Sequence, residues 1–207
     1  MSKTAIAAMP LGAIIIGVVL WAWGQPLISA SGKVLLWVRD PWSSENSQQI
    51  ADWYSLSHMI HGFLVALIGR ALHRTLPWGV VIAVAIVSGV AWEIIEHTDA
   101  VLDRFRSQTI YQGYLGDSVL NAVSDYLFML SGFLLASVLP VGMVMGLIVV
   151  MEALSAYSAR DSLVLTTLRV VHPVRAITDW QDEKNPTAAR ARTEGQQSAT
   201  DRSAVGP

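Results

Sequence analysis

Histidine and glutamate residues recur at helical spacing in two apolar stretches of this sequence. His58 and His61 are three residues apart, and Glu93, Glu96 and His97 form a second close group. At about 100° per residue, each group occupies one side of a helix. Imidazole and carboxylate groups can exchange protons with a substrate or bind a divalent metal. The two groups are therefore candidates for acid-base or metal chemistry.

A third polar group opens a later apolar stretch. Asp117, Asn121 and Asp125 are spaced four residues apart, and the chain from Tyr126 to Leu139 then carries no charge. This spacing drifts by only about 80° over two helical turns, so the three side chains share a stripe. A lone carboxylate that faces hydrocarbon is costly. We therefore expect the polar stripes of three helices to turn inward and to enclose a shared pocket.

These patterns predict a role for each polar residue. The predicted catalytic residues are His58, His61, Glu93, Glu96, Asp117, Asn121 and Asp125. The predicted counter-ions and substrate-binding residues are Arg104, Arg106 and Arg160, which could hold a phosphate or a lipid headgroup or merely anchor helix ends. The predicted ligands of a divalent metal are His58, His61, Glu93 and His97. The alternative to a metal site is a hydrogen-bonded network of buried histidines and carboxylates.

The composition is that of a membrane protein. Of the 207 residues, 53% are hydrophobic and 14% are charged, against roughly 25% charged in ordinary soluble domains. The net charge of -2, without a basic run in the apolar part, argues against a nucleic-acid partner. The sequence contains no cysteine, which excludes disulfides, thiolate metal ligands and a cysteine nucleophile.

The apolar segments predict an all-α, polytopic bundle of about five membrane spans. A spanning helix needs about 20 mainly apolar residues. The predicted spans are residues 5–23, 54–72, 77–97, 116–139 and 141–157. The first is longer than a usual signal-peptide core, so we expect a retained anchor. Residues 162–174 are typical of an amphipathic interfacial helix. Residues 1–181 then form the transmembrane domain, and 182–207 form a disordered tail.

Long motifs carry a resemblance to a known family. Between about residues 50 and 181, the chain resembles an uncharacterised family of proteobacterial multi-pass inner-membrane proteins. The motifs are WYSLSHMIHGF, SGVAWEIIEHTDAVLDRFRSQTI, YLGDSVLNAVSDYLFMLSGFLLA and ARDSLVLTTLRVVHPVRAITDWQ. The resemblance implies a location in the bacterial inner membrane, without an established activity.

A looser pattern is similar to the VanZ-like membrane proteins, which are linked to glycopeptide resistance. The matching positions are His58 or His61, Gly89, Glu93, Arg104 or Arg106, Asp117 and Asn121. Glu96 stands where that pattern has glutamine, and Asp125 is additional.

The predicted function is acid-base or metal-assisted chemistry on an envelope lipid or lipid-linked substrate, or binding of that substrate. Two other functions stay open at this stage. One is a membrane scaffold or assembly factor with a structural polar network, and the other is a small proton-coupled carrier. A carrier needs polar residues along the whole path, whereas Glu152 alone lies deeper in the fifth predicted span.

Overall fold

The computed structural model describes residues 3–108 and 114–186, and the regular secondary structure of this part of the chain is helical, without strands. Its helices are α1 (Lys3–Ala22), α2 (Trp53–Ala71), α3 (Trp78–Glu96), α4 (Asp99–Gln108), α5 (Val119–Val138), α6 (Val141–Ala159), α7 (Leu163–Val171) and α8 (Arg175–Asp182). The all-α prediction is confirmed. The short helices α4 and α8 were not predicted.

Three helices, α3, α5 and α6, are long and apolar enough to cross a membrane. Helix α1 adds a shorter apolar stretch, Ala7–Ala22. The protein is therefore a helical membrane protein. Helix α2 has 19 residues, a sufficient length, but its histidines and serines lower its apolar character. The predicted count of five spans stays a prediction for α1 and α2.

Local sequence signals fix where several helices begin. Asp52 caps α2 by accepting a hydrogen bond from the Tyr54 backbone, and Ser55 completes the capping box. Pro77 and Pro140 precede α3 and α6, where the lack of a backbone N–H has no cost. These signals account for where α2, α3 and α6 begin.

The fourth predicted span begins three residues too early. We predicted a helix from residue 116, whereas α5 begins at Val119. Gly116 has a φ of +96°, and the Ser118 side chain caps α5 by accepting from the Asn121 backbone N–H. Asp117 therefore lies before the helix and not on the stripe of Asn121 and Asp125.

Helices α2 and α5 pack most closely, at two glycines. A methyl group on Gly62 would meet the backbone of Met129 and Phe133, and one on Gly132 would meet the backbone of Met59. Such small residues let two helix backbones approach within a membrane. The contact sets the distance between the polar side chains one turn away on each helix.

The last two described helices cover the polar end of the bundle. Helix α7 lies within the predicted interfacial segment, and α8 follows it after Pro173. Buried Arg169 of α7 holds α8 through Asp182, whose Oδ1 lies 3.2 Å from both Nη1 and Nη2. Most of the predicted disordered tail, residues 187–207, lies outside the described residues.

Candidate functional site

A cavity of about 350 Å³ lies at the polar ends of α2, α3 and α5. Its polar wall includes His58, His61, Glu96, Asp117, Asp125 and Asp161. Its apolar wall includes Leu64, Trp92, Phe105 and Leu163. The cavity is therefore amphiphilic, because its lining combines acidic and imidazole groups with hydrocarbon and aromatic groups.

His58 lies between two buried carboxylates from different helices. Its Nδ1 is 3.3 Å from Glu93 Oε1 on α3, and its Nε2 is 3.7 Å from Asp125 Oδ2 on α5. The Glu93 and Asp125 residues are 1% and 2% exposed, while His58 lines the cavity. An imidazole with a carboxylate near each nitrogen can accept a proton at one nitrogen and release one from the other.

A hydrogen-bonded chain continues from Asp125 to the start of α2. Ser55 Oγ donates to Asp125 Oδ1 at 2.7 Å, and it accepts from the Asp52 backbone N–H at 3.1 Å. The Asp52 carboxylate itself accepts from the Ser47 and Tyr54 backbones. Burial raises the pKa of Asp52 to about 6, against the lowering effect of these bonds. The capping box thus fixes the orientation of Asp125.

Glu93, Glu96 and Asp117 form a second cluster. One carboxylate oxygen of each residue lies within 4.8 Å of those of the other two, a spacing that could hold a metal ion. The Tyr114 hydroxyl donates to Asp117 Oδ1 at 2.6 Å. Burial raises the pKa of Asp117, although Tyr114 and His97 both oppose the shift. Three acidic groups therefore converge beside the cavity.

His97 supports this cluster through the backbone. Its Nδ1 lies 2.6 Å from the Glu93 carbonyl oxygen, and its Nε2 lies 2.8 Å from the Asp117 amide nitrogen. The carbonyl can only accept and the amide can only donate, so Nδ1 carries the proton and Nε2 accepts. Both ring nitrogens are thus engaged. The predicted metal set of His58, His61, Glu93 and His97 is not brought together as one group in the described chain.

The two remaining predicted catalytic residues, His61 and Asn121, differ in position. Half-buried His61 lines the cavity, one turn from His58. Asn121 instead donates from Nδ2 to the Gln49 carbonyl at 2.7 Å, which ties α5 to the loop before α2. Their catalytic roles stay predictions.

The three predicted arginines have partners at helix ends and do not line the cavity in the described part of the chain. Arg104 donates to the Val170 carbonyl, and Arg106 donates to the Tyr114 carbonyl. Arg160 stacks over Trp180 with its Cζ 4.4 Å from the ring centroid. These contacts anchor helix ends, as in the alternative interpretation, and a substrate-binding role stays a prediction.

Two tyrosines on the cavity wall were not predicted. Tyr54 donates to Asp161 Oδ2 at 3.2 Å, and Tyr114 donates to Asp117. Tyr54 stands two residues after the capping residue Asp52, in the first turn of α2, and this position could have indicated it. Tyr114 follows a segment without an apolar period, so the sequence carried no comparable signal.

The helices and the cavity define a class of protein, namely helical membrane proteins with an acidic, histidine-containing cavity at one end of the bundle. The chain belongs to the family described as "Protein of unknown function (DUF2585)", whose model matches residues 20–183. The predicted membership of an uncharacterised proteobacterial family is confirmed.

Several curated relatives carry the name UPF0314 protein. The relative from Sphingopyxis alaskensis is 42% identical over 176 residues, which cover 85% of this chain and 93% of the relative. The relative from Rhizobium meliloti is 43% identical, covering 76% of this chain and 80% of the relative. The relative from Paracoccus denitrificans is 44% identical, covering 78% and 83%. No solved structure gives a significant match. The similarity to VanZ-like proteins stays a prediction.

Proposed function

We propose that this protein acts on, or binds, an amphiphilic envelope substrate such as a lipid or a lipid-linked intermediate in the bacterial inner membrane. The observation that carries the proposal is a cavity whose lining combines acidic and imidazole groups with apolar side chains. A substrate with a polar head and a hydrocarbon chain matches both walls.

The apolar wall extends to the outer surface of the bundle. Leu64 of α2 and Trp92 of α3 line the cavity, and each is also 41% exposed. In a helical membrane protein, the exposed apolar surface of a span faces lipid. A lipid chain could therefore occupy the gap between α2 and α3 while its head lies against the polar wall. Entry from the bilayer would need no passage through water.

The polar wall supplies a group for proton transfer. If a substrate hydroxyl gives its proton to Nε2 of His58, the ring can pass its Nδ1 proton to Glu93, whose Oε1 lies 3.3 Å from Nδ1. Asp125, whose Oδ2 lies 3.7 Å from Nε2, can stabilise the positive charge of the ring between these two transfers. Asp125 is held in turn by Ser55. This arrangement supports His58 as general base or acid, with His61 at the same wall as the second candidate.

The inner membrane is part of the proposal. The curated relatives are bacterial, and membrane proteins built from apolar α-helices contrast with the β-barrels of the bacterial outer membrane. A carrier is less well supported, because Glu152 of α6 lies outside the cavity wall and accepts a hydrogen bond from the Val164 backbone.

The test is a comparison of envelope lipids and lipid-linked intermediates in strains with and without the gene. We expect the deletion to change the level of at least one species and the wild-type gene to restore it. His58→Gln should fail to restore it although the variant protein accumulates normally. His73→Gln, a histidine in the loop after α2, is the matched control and should restore it.

Two results would overturn the proposal. Unchanged envelope lipids on deletion would exclude a role in this chemistry. If His58→Gln lost protein abundance in parallel with function, and Asp125→Asn did the same, the polar groups would be structural and the scaffold alternative would replace the proposed function.

A further inference from the structure

We propose that Glu93, Glu96 and Asp117 bind one hard divalent cation, of the Mg²⁺ or Mn²⁺ class, at the wall of the cavity. This site shares the cavity of the proposed function but does not rest on it, because cation binding is measurable on the protein alone. It also differs from the histidine-based metal set that the sequence predicts.

The geometry brings the three carboxylates to a common point. Their oxygens lie within 4.8 Å of one another, as ligands around one ion would. Glu93 and Glu96 stand one turn apart on α3, and Asp117 approaches from the loop before α5. Glu96 and Asp117 also line the cavity, so an ion there would have positions left for water or for substrate oxygens.

Two carboxylate oxygens of the cluster are available to coordinate a cation. Glu93 Oε2 and Glu96 Oε2 are buried and have no hydrogen-bond partner within residues 3–108 and 114–186. The Glu93 residue as a whole is only 1% exposed. A buried carboxylate oxygen without a partner is costly, and coordination to a cation removes that cost.

The charge of the surroundings favours a cation as well. Six buried or half-buried carboxyl groups line the cavity or lie next to its lining, namely those of Asp52, Glu93, Glu96, Asp117, Asp125 and Asp161. No lysine or arginine of the described residues lines the cavity, and His58 and His61 are its basic groups. A divalent cation would balance two of these negative charges where burial weakens the screening by water.

The neighbouring hydrogen bonds hold the proposed ligands in place. Tyr114 donates to Asp117 Oδ1, and His97 links the Asp117 amide nitrogen to the Glu93 carbonyl oxygen. Such supporting contacts orient metal ligands in known sites. The three ligands offer only oxygen, which suits Mg²⁺ or Mn²⁺ better than Zn²⁺.

The test is a titration of the purified, chelator-treated full-length protein with Mn²⁺, followed by electron paramagnetic resonance. We expect one saturable Mn²⁺ per chain, displaced by excess Mg²⁺, and no coupling to a histidine ¹⁴N in the electron spin echo. Glu96→Gln and Asp117→Asn should each weaken Mn²⁺ binding by at least tenfold. Loss of a contact that only supports a ligand already costs about tenfold, and each of these variants alters a ligand itself.

Glu152→Gln is the matched control. Glu152 lies in α6, also has a buried carboxylate oxygen without a partner in the described chain, and lies outside the cavity wall. This variant should bind Mn²⁺ as the wild type does.

Three results would overturn the cation site. They are no saturable Mn²⁺ in the wild type, equal affinity in all variants, and a ¹⁴N coupling that assigns the ion to His58 or His61. If Glu96→Gln or Asp117→Asn does not fold, the spin-echo result on the wild type decides alone. The proposed function is tested separately, by the lipid levels of cells that carry His58→Gln. The cation site can therefore fail while the proposed function holds, and the reverse is also possible.

Discussion

Replacing Gly62 by alanine tests the contact on which the polar site depends. An added Cβ would lie 2.6 Å from the Phe133 amide nitrogen and closer still to the Met129 carbonyl oxygen. Ordinary contact begins at 3.4 Å, so the contact with Phe133 alone requires α2 and α5 to separate by about 0.8 Å, which is 3.4 Å minus 2.6 Å. The nearer Met129 oxygen requires a larger separation. Both obstructing atoms belong to the backbone and cannot turn away as a side chain could.

The expected loss of stability follows from this overlap. One extra methyl group in a well-packed interior costs about 1–3 kcal/mol, and alanine regains up to about 1 kcal/mol of helix propensity. Because both obstructing atoms belong to the backbone, we take the upper end of this cost, about 3 kcal/mol, and expect a net loss of about 2 kcal/mol, which changes the ratio of folded to unfolded protein roughly thirtyfold. For a chain of this size the unfolding temperature should fall by roughly 4–8 °C.

The assay is thermal unfolding of the purified protein in detergent, read as the fraction that stays monodisperse after heating. Gly146→Ala is the matched control, because Gly146 lies in α6 with nothing within 4 Å of the added Cβ. That variant should equal or slightly exceed the wild type. Gly132→Ala should resemble Gly62→Ala, since its Cβ would meet the Met59 backbone. The double variant should lose less than the sum, because the same two helices separate once.

The same displacement should reach the site. His58 lies one turn before Gly62, and Asp125 lies one turn before Met129. The His58 to Asp125 distance of 3.7 Å and the 2.7 Å bond from Ser55 would both lengthen. If Gly62→Ala proved as stable as Gly146→Ala, the close α2 and α5 contact would be refuted, and with it the placement of His58 between two carboxylates.

Two further predictions concern the covering helices. Burial raises the pKa of Asp161 to about 6 from its ordinary 3.8, so its protonation stabilises the fold below pH 3.8 and that contribution is lost as the pH rises through 6. Unfolding temperatures in a pH series should therefore fall more steeply between pH 4 and 6 for the wild type than for Asp161→Asn, and equal slopes would contradict this. Arg169→Met removes the contacts to Asp182, so hydrogen exchange should accelerate in α8 and not in α5. Replacement of the exposed residue Arg175 by alanine is the control. Unchanged exchange in α8 of Arg169→Met would show that Arg169 does not hold this helix.

The sequence was sufficient to predict most of the architecture because the bilayer imposes a length and a composition on each span. Helices α3, α5 and α6 coincide with long apolar segments. The inward stripes were also predictable, since charged groups that face lipid are expensive. Helices α4 and α8 have 10 and 8 residues, too short for a length criterion to detect.

The pairing within the cluster could not be predicted from spacing. Asp117 belongs to a loop whose course depends on the positive φ of Gly116, so its partners are Glu96 and Tyr114 rather than the stripe of α5. The arginines were expected to neutralise the acids because they lie near in sequence. Their long side chains instead reach backbone carbonyls, among them those of Val170 and Trp180, which lie in the last turns of α7 and α8 and have no partner within the helix.

This absence of arginine from the described cavity wall links packing to function. A structural network would gain stability from a buried cation of its own, since each unpaired buried carboxylate lowers stability. The described chain instead surrounds Glu93 with Glu96, Asp117 and Asp125 and offers imidazoles as the basic groups. The close glycine contact between α2 and α5 holds these groups together against their repulsion. An arrangement that costs stability and is nevertheless rigidly supported is typical of a functional site, such as one that transfers a proton or binds a cation or a substrate.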